Sequence, residues 1–269
     1  MIKKLKTFFT LICITFLLPI FNSCKSTNTN KSNQTKIGII GALEEEVAFL
    51  KEEMNDIKIT TIAGMNFFEG KINGNKVIVV QSDMGKVNAA ICSQTLINTF
   101  GANRIINTGV AGSLDAKIDI GDIVVSTDAI EHDFDLTPLG YAPGQVYNNG
   151  VVAFVADENM RKHVVKAAKE CTPEIHIFEG RICSGDQFIA SKEQKQAIIS
   201  KFGGLCCEME GGAIAQVCYI NKTPFIIIRA ISDKADDLEE MSYEKFKKDA
   251  ATRSAKIISY MVTHYTNNK

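Results

Sequence analysis

Three acids and an arginine stand where apolar runs of this chain give way to polar residues: Glu46, Glu210, Arg229 and Asp233. Separated carboxylates at strand ends suit glycosidic cleavage. One carboxylic acid protonates the leaving group, another carboxylate draws a proton from water, and negative charge stabilises an oxocarbenium-like sugar. In open α/β sheets the ligand crevice lies beyond the carboxyl ends of the strands, which is where Arg229, near the end of the apolar run 224–231, and Ser232 and Asp233, just after it, are placed. Plainer roles fit the same residues. Ser232 and Asp233 suit the cap of a following helix, Arg229 a structural ion pair, and Glu208 with Glu210 a helix N-terminus whose dipole they compensate. Of Glu208 and Glu210, which flank Met209, at most one is expected to face any given pocket. In the triple-acid start Glu44-Glu45-Glu46, the third acid adjoins Val47 on the apolar helix face and is expected to look inward.

Other chemistries lack their residues. There is no G-x-S-x-G, and no His stands beside a suitable Ser or Cys. His132, His163, His176 and His264 are scattered without metal-ligand spacing, so no metal site is expected. Gly38 and Gly41 do not form G-x-G-x-x-G, and three acids at the helix start repel a pyrophosphate. A formal net charge of -1 gives no basis for nucleic-acid binding. Among eight cysteines no C-x-x-C occurs, and those from Cys92 onward mostly lie in apolar runs, as core residues do.

The elements that must position these residues are readable from patterning. Apolar runs predict strands over 36–41, 57–62, 67–72, 77–81, 104–107, 123–130, 175–183 and 224–231. Asn73-Gly74-Asn75 is a strong hairpin turn, and Thr108-Gly109-Val110-Ala111-Gly112 reads as a Gly-bracketed loop at a strand end. Helices are expected after residue 43, over 86–100 with Val87, Ile91 and Leu96 inward, over 158–170, over 192–201 capped by Ser191, from about 211, and over 243–265. Residues 131–150 form an irregular stretch suited to a lid or a subunit contact. Strands alternate with helices after an initial meander, which predicts a central, largely parallel or mixed sheet with helices on both faces.

The first residues have another purpose. A basic start, a nearly continuous apolar run over 8–20 and Phe21-Asn22-Ser23-Cys24 read as an export signal over 1–23, followed by a flexible tether over 24–35. Cys24 sits as the acylated first residue of a bacterial lipoprotein would, although Phe21 and Asn22 fit that pattern loosely; an uncleaved membrane anchor is the alternative. The folded domain is expected over 36–269, exported and attached to a membrane through this segment alone.

Seven stretches in order carry a specific resemblance: KIGIIGALEEEV at 36–47, GKVNAA at 85–90, IINTGVAG at 105–112, GDIVVS at 121–126, SGDQFI at 184–189, EMEG at 208–211 and RAISDKAD at 229–236. Over residues 36–265 the chain resembles the 5'-methylthioadenosine/S-adenosylhomocysteine nucleosidases of the nucleoside phosphorylase and hydrolase superfamily. The resemblance implies a three-layer α/β/α fold with a mixed, partly closed sheet, a homodimer, no cofactor, and nucleoside thioethers as substrates. It implies that Glu46 activates water, Asp233 protonates purine N7 with Ser232 in support, and Glu210 grips the ribose hydroxyls. Phe188 would stack on adenine, the Ile189 backbone would read its edge, Met209 would lie against the sugar, and Arg229 would order the carboxylates and water. Ala42 would line the water side and Met84 the ribose end. Val110 replaces a hydroxyl residue common in the family, and Tyr243 and the partner subunit's Leu139 stand where Phe is common around the 5' substituent. Three rivals remain at this point: a phosphorolytic relative, another nucleoside hydrolase such as a futalosine-type enzyme, and a silent nucleoside-binding lipoprotein. Glu44-Glu45-Glu46 disfavours the first, and the joint presence of Glu46, Glu210 and Asp233 disfavours the last.

Overall fold

The first strand among the described residues is β1 (Ile37–Gly41), whose five residues are all buried, so it shows no polar alternation. The structure, a computed structural model, describes residues 35–146, 150–236 and 239–265, the side chains of 239–242 and 265 excepted. The expected export signal and Cys24 lie outside these residues. Helix α1 (Glu44–Glu52) follows β1 directly, and the meander β2 (Asn55–Ile62), β3 (Met65–Ile72) and β4 (Asn75–Gln81) comes next. Asn73 and Gly74 turn the second hairpin with φ of 46° and 82°, the left-handed pair that a tight hairpin requires. Then come α2 (Lys86–Asn98), β5 (Arg104–Ser113), β6 (Ile123–Glu131), β7 (Phe154–Val155) and α3 (Glu158–Cys171). The chain continues through β8 (Ile177–Ser184), α4 (Lys192–Phe202), β9 (Cys206–Glu208), α5 (Gly211–Asn221), β10 (Phe225–Asp233) and α6 (Glu239–Tyr265).

The sheet is mixed and partly closed. β5 pairs with β10 in parallel and with β9 antiparallel; β10 meets β6 antiparallel, and β6 and β8 run parallel to their neighbours β8 and β9. These five strands form a ring, and β1, β4, β3 and β2 extend it from the other edge of β5. Helix α2 packs with α5, while α1 and α3 pack with α6.

Four expectations need correction. β5 does not end at a loop: it continues through the Gly109–Gly112 segment, hydrogen-bonded to β10 and β9. β10 likewise continues through Ser232 and Asp233, with an irregularity in register between Ile231 and Asp233. These two residues therefore do not cap α6, which begins at Glu239 rather than near residue 243. In α2, Val87 and Ile91 are exposed and the buried stripe is Ala89, Cys92, Ser93 and Leu96. Small residues fill the inner face because α5 lies close, so the larger apolar side chains marked the wrong face. Cysteines 92, 183, 206, 207 and 218 are buried free thiols and Cys171 is half-buried.

Candidate active site

The carboxyl ends of β1, β5, β8, β9 and β10 converge on one cleft, of about 560 Å³ counting its open mouth. The chain enters α1 directly from β1, so Ala42, Leu43 and Glu46 form one wall, and the first turn of α1 turns Glu46 inward to 2% exposure.

Glu46 is held by backbone donors. Its Oε2 accepts from the N–H groups of Ala42 at 2.6 Å and Leu43 at 3.0 Å, and its Oε1 from Val110 at 3.0 Å. Burial raises its pKa above the usual carboxylate range, against the pull of Arg229 and the three N–H groups. A carboxyl so tuned takes a proton more readily than an exposed one. Gly109 makes this approach possible: a Cβ there would lie 2.6 Å from Glu46 Oε1 and would overlap Arg229 Nη1.

Arg229 lies behind the cleft wall at 1% exposure. One of its terminal nitrogens donates to Asn107 Oδ1 at 2.6 Å and to Glu208 Oε2, and stands 3.6 Å from Glu210 Oε2. Glu208 also accepts from the N–H of Gly211 at 2.8 Å and from the Ser184 hydroxyl, so it combines an ion pair with the N-terminus of α5. Glu210 accepts from Gly85 N–H at 2.9 Å through Oε1. Burial first, then the neighbouring Glu208, pushes its pKa up to about 8 despite Arg229. One cation thus serves three buried acids, and the cluster favours holding a proton.

Across the cleft, Asp233 Oδ2 accepts from the Ser232 hydroxyl at 2.7 Å and Oδ1 from the N–H of Ala235 at 3.0 Å. The bend in register before Asp233 lets both residues line the cleft. Phe188 and Tyr243 meet edge to face with centroids 5.5 Å apart and form an aromatic wall.

Of the residues singled out in the sequence, Ala42, Glu46, Met84, Val110, Phe188, Ile189, Met209, Glu210, Ser232, Asp233 and Tyr243 line this one cleft. Arg229 lies beneath it. Leu139 does not reach it: it ends a single 3₁₀ turn and is 71% exposed. The expectation that only one of Glu208 and Glu210 faces the pocket is overturned, since both line it. Residues two apart on extended chain share a face, and that parity was the signal for Glu208. Leu43, Gln187 and Cys207 also line the cleft with no signal in their types. Among the described residues no cluster of His, Cys, Asp and Glu suits a metal ion.

The family model of the phosphorylase superfamily matches residues 36–263. A 5'-methylthioadenosine/S-adenosylhomocysteine nucleosidase of Psychromonas ingrahamii is 41% identical over 230 residues, covering 85% of this chain and 99% of that protein. The crystal structure of the Neisseria meningitidis 5'-methylthioadenosine/S-adenosylhomocysteine nucleosidase in complex with methylthio-immucillin-A superposes with a TM-score of 0.82 at 37% identity, covering 85% of this chain and 99% of that one. The futalosine hydrolase of Helicobacter pylori superposes with a TM-score of 0.81 at 34% identity, covering 85% and 97%.

Proposed function

The chain belongs to the phosphorylase superfamily, among its 5'-methylthioadenosine/S-adenosylhomocysteine nucleosidases, and from that premise we propose that it hydrolyses the N-glycosidic bond of both named nucleosides. The products are adenine with 5-methylthioribose or S-ribosylhomocysteine. One observation carries the choice of water over phosphate as nucleophile: the two backbone N–H groups that follow β1, those of Ala42 and Leu43, are already taken by the Glu46 carboxylate. A phosphate dianion at this corner would meet a buried acid instead of free donors.

In this reading Glu46 takes a proton from water while Asp233, steadied by Ser232, gives one to purine N7, so adenine leaves neutral. Glu210 accepts hydrogen bonds from the ribose hydroxyls. Arg229 orders the carboxylates around the water, and Val110, in place of a hydroxyl residue, leaves the water to Glu46. Phe188 stacks on the base, Ile189 reads its edge through the backbone, and Met209 lies against the sugar. Met84, Tyr243 and the partner subunit's Leu139 enclose the 5' thioether. No metal or organic cofactor takes part. Asp233→Asn is expected to lower adenine release by about 10²–10⁴-fold while substrate still binds. Unchanged turnover in that variant contradicts the assignment.

The proposal extends to assembly and location. Met84, Val87, Ile91 and Leu139 are large apolar side chains exposed on the single chain, which supports a homodimer that covers them; sedimentation as a monomer at micromolar concentration contradicts it. The basic, apolar and Ser-Cys order of residues 1–24 supports export and lipid attachment at Cys24. Cys24→Ala is expected to release the protein from the membrane fraction, and unchanged membrane recovery argues for an uncleaved anchor.

A further inference from the structure

A second polar circuit stands at the mouth of the cleft. Lys86, the first residue of α2, directs its ammonium to Asp133 Oδ1 at 2.7 Å and Glu131 Oε2 at 3.2 Å. The other Asp133 oxygen accepts from the backbone N–H of Asp186 at 2.8 Å. Asp186 Oδ1 in turn accepts from the backbone N–H of Lys86 at 2.8 Å. The circuit closes on itself and joins three segments: the joint between β4 and α2, the exit of β6 and the exit of β8.

Two of those segments lead straight into the cleft. Immediately before Lys86, Gly85 donates to Glu210 and Met84 lines the cavity; immediately after Asp186, Gln187, Phe188 and Ile189 line it. The joint is tight on both sides. A Cβ on Gly85, whose φ is +95°, would lie 3.1 Å from Asp186 Oδ1, and one on Gly185 would lie 3.1 Å from Asp133 Cγ and 2.5 Å from the His132 ring. The Lys86 and Asp133 side chains are each only 19% exposed and Glu131 is 7% exposed, so water screens this ion pair less than a surface one. Burial pulls the Lys86 ammonium down, but its contacts with Asp133 and Glu131 outweigh this and its pKa is raised, so it stays charged.

We propose that Lys86 is a positioning residue: through Asp133 and Asp186 it holds the wall that faces the base at a fixed separation from the wall that grips the sugar. Neither Lys86, Asp133 nor Asp186 lines the cleft. The circuit therefore sets affinity for a whole nucleoside without entering the chemistry. This assignment of the two walls rests on the nucleosidase reading given above.

The test compares the full chain with its Lys86→Met, Lys86→Arg and Asp133→Asn variants by steady-state adenine release from 5'-methylthioadenosine and by amide hydrogen exchange without ligand. Lys86→Met is expected to raise KM by about tenfold or more, the worth of one lost charge-assisted hydrogen bond, with kcat within about threefold. Lys86→Arg should return KM to within about threefold of the parent, because its charge still meets Asp133. The amides of Lys86 and Asp186 should exchange about tenfold faster in Lys86→Met while those of β5 do not change. Asp133→Asn should move both readouts in the same direction by less, and it decides the matter if Lys86→Met does not fold. A KM within about twofold of the parent, with kcat reduced only by the unfolded fraction, overturns the proposal. So does a raised KM without faster exchange at those two amides. If the parent cleaves no 5'-methylthioadenosine, the nucleosidase reading fails, and hydrogen exchange alone still decides whether Lys86 joins the two walls.

Discussion

Alanine at position 109 would place one methyl group between Glu46 and Arg229. Its backbone cost is small: Gly109 lies within β5 and does not have a positive φ. The cost is steric. The new carbon would lie 2.6 Å from Glu46 Oε1 and 3.1 Å from its Cδ, and it would overlap Arg229 Nη1. An unstrained carbon–oxygen contact needs about 3.5 Å, so the carboxylate oxygen must retreat by about 0.9 Å. It cannot do so and keep its bonds to Ala42, Leu43 and Val110, nor can Arg229 turn without leaving Asn107 and Glu208. Displacement on this scale costs on the order of 10²-fold in rate, and overpacking a site this dense costs about 1–3 kcal/mol in stability. Adenine release under saturating substrate measures the first and denaturant unfolding the second. A Gly109→Ala protein with kcat within about threefold of the parent and unchanged stability would show that this spacing does not hold the base in place.

Two further predictions concern charge. Glu210, raised to about 8, keeps its proton when folded over a range where the unfolded chain, near its ordinary 4.5, has released it. Stability should therefore fall as pH rises from about 4.5 to 8, by up to about 1.4 kcal/mol per pH unit, and Glu210→Gln should flatten the fall. Parallel melting-temperature profiles for parent and variant contradict this. Arg229→Met removes the cation that lowers Glu46, so the Glu46 pKa rises further and the acidic limb of the kcat profile moves to higher pH. Stability drops by about 3–5 kcal/mol as buried acids lose their partner. Arg229→Lys keeps the charge and should leave the limb in place; a limb that stays put in Arg229→Met refutes the electrostatic role.

Much of the frame was legible because local patterning and burial agree. β1 is a fully buried strand of Ile and Gly, β10 opens on Phe225 and three successive Ile, and the Asn73-Gly74 turn admits little else. The rest depended on distant neighbours. Glycines 109 and 112 resemble loop residues, yet they sit in a strand because Glu46, Arg229 and Asp233 occupy the space of their absent side chains. Val87 and Ile91 looked like core positions because nothing in α2 says that α5 lies against its small residues. Closure of the sheet through β5 and β10 is likewise a pairing between residues more than a hundred positions apart. In the site, Glu46 was readable from its place beside Val47. Glu208 was obscured by a misjudged strand parity, and Leu139 is exposed on this chain and does not line its cleft.

The most direct measurement follows release of the free purine base from 5'-methylthioadenosine, S-adenosylhomocysteine, futalosine, adenosine and inosine by the protein, with and without inorganic phosphate. The account predicts cleavage of the first two, each at a rate that does not depend on phosphate, with the free sugar as co-product. Cleavage that requires phosphate and yields a sugar 1-phosphate, or none of either thioether, would contradict it.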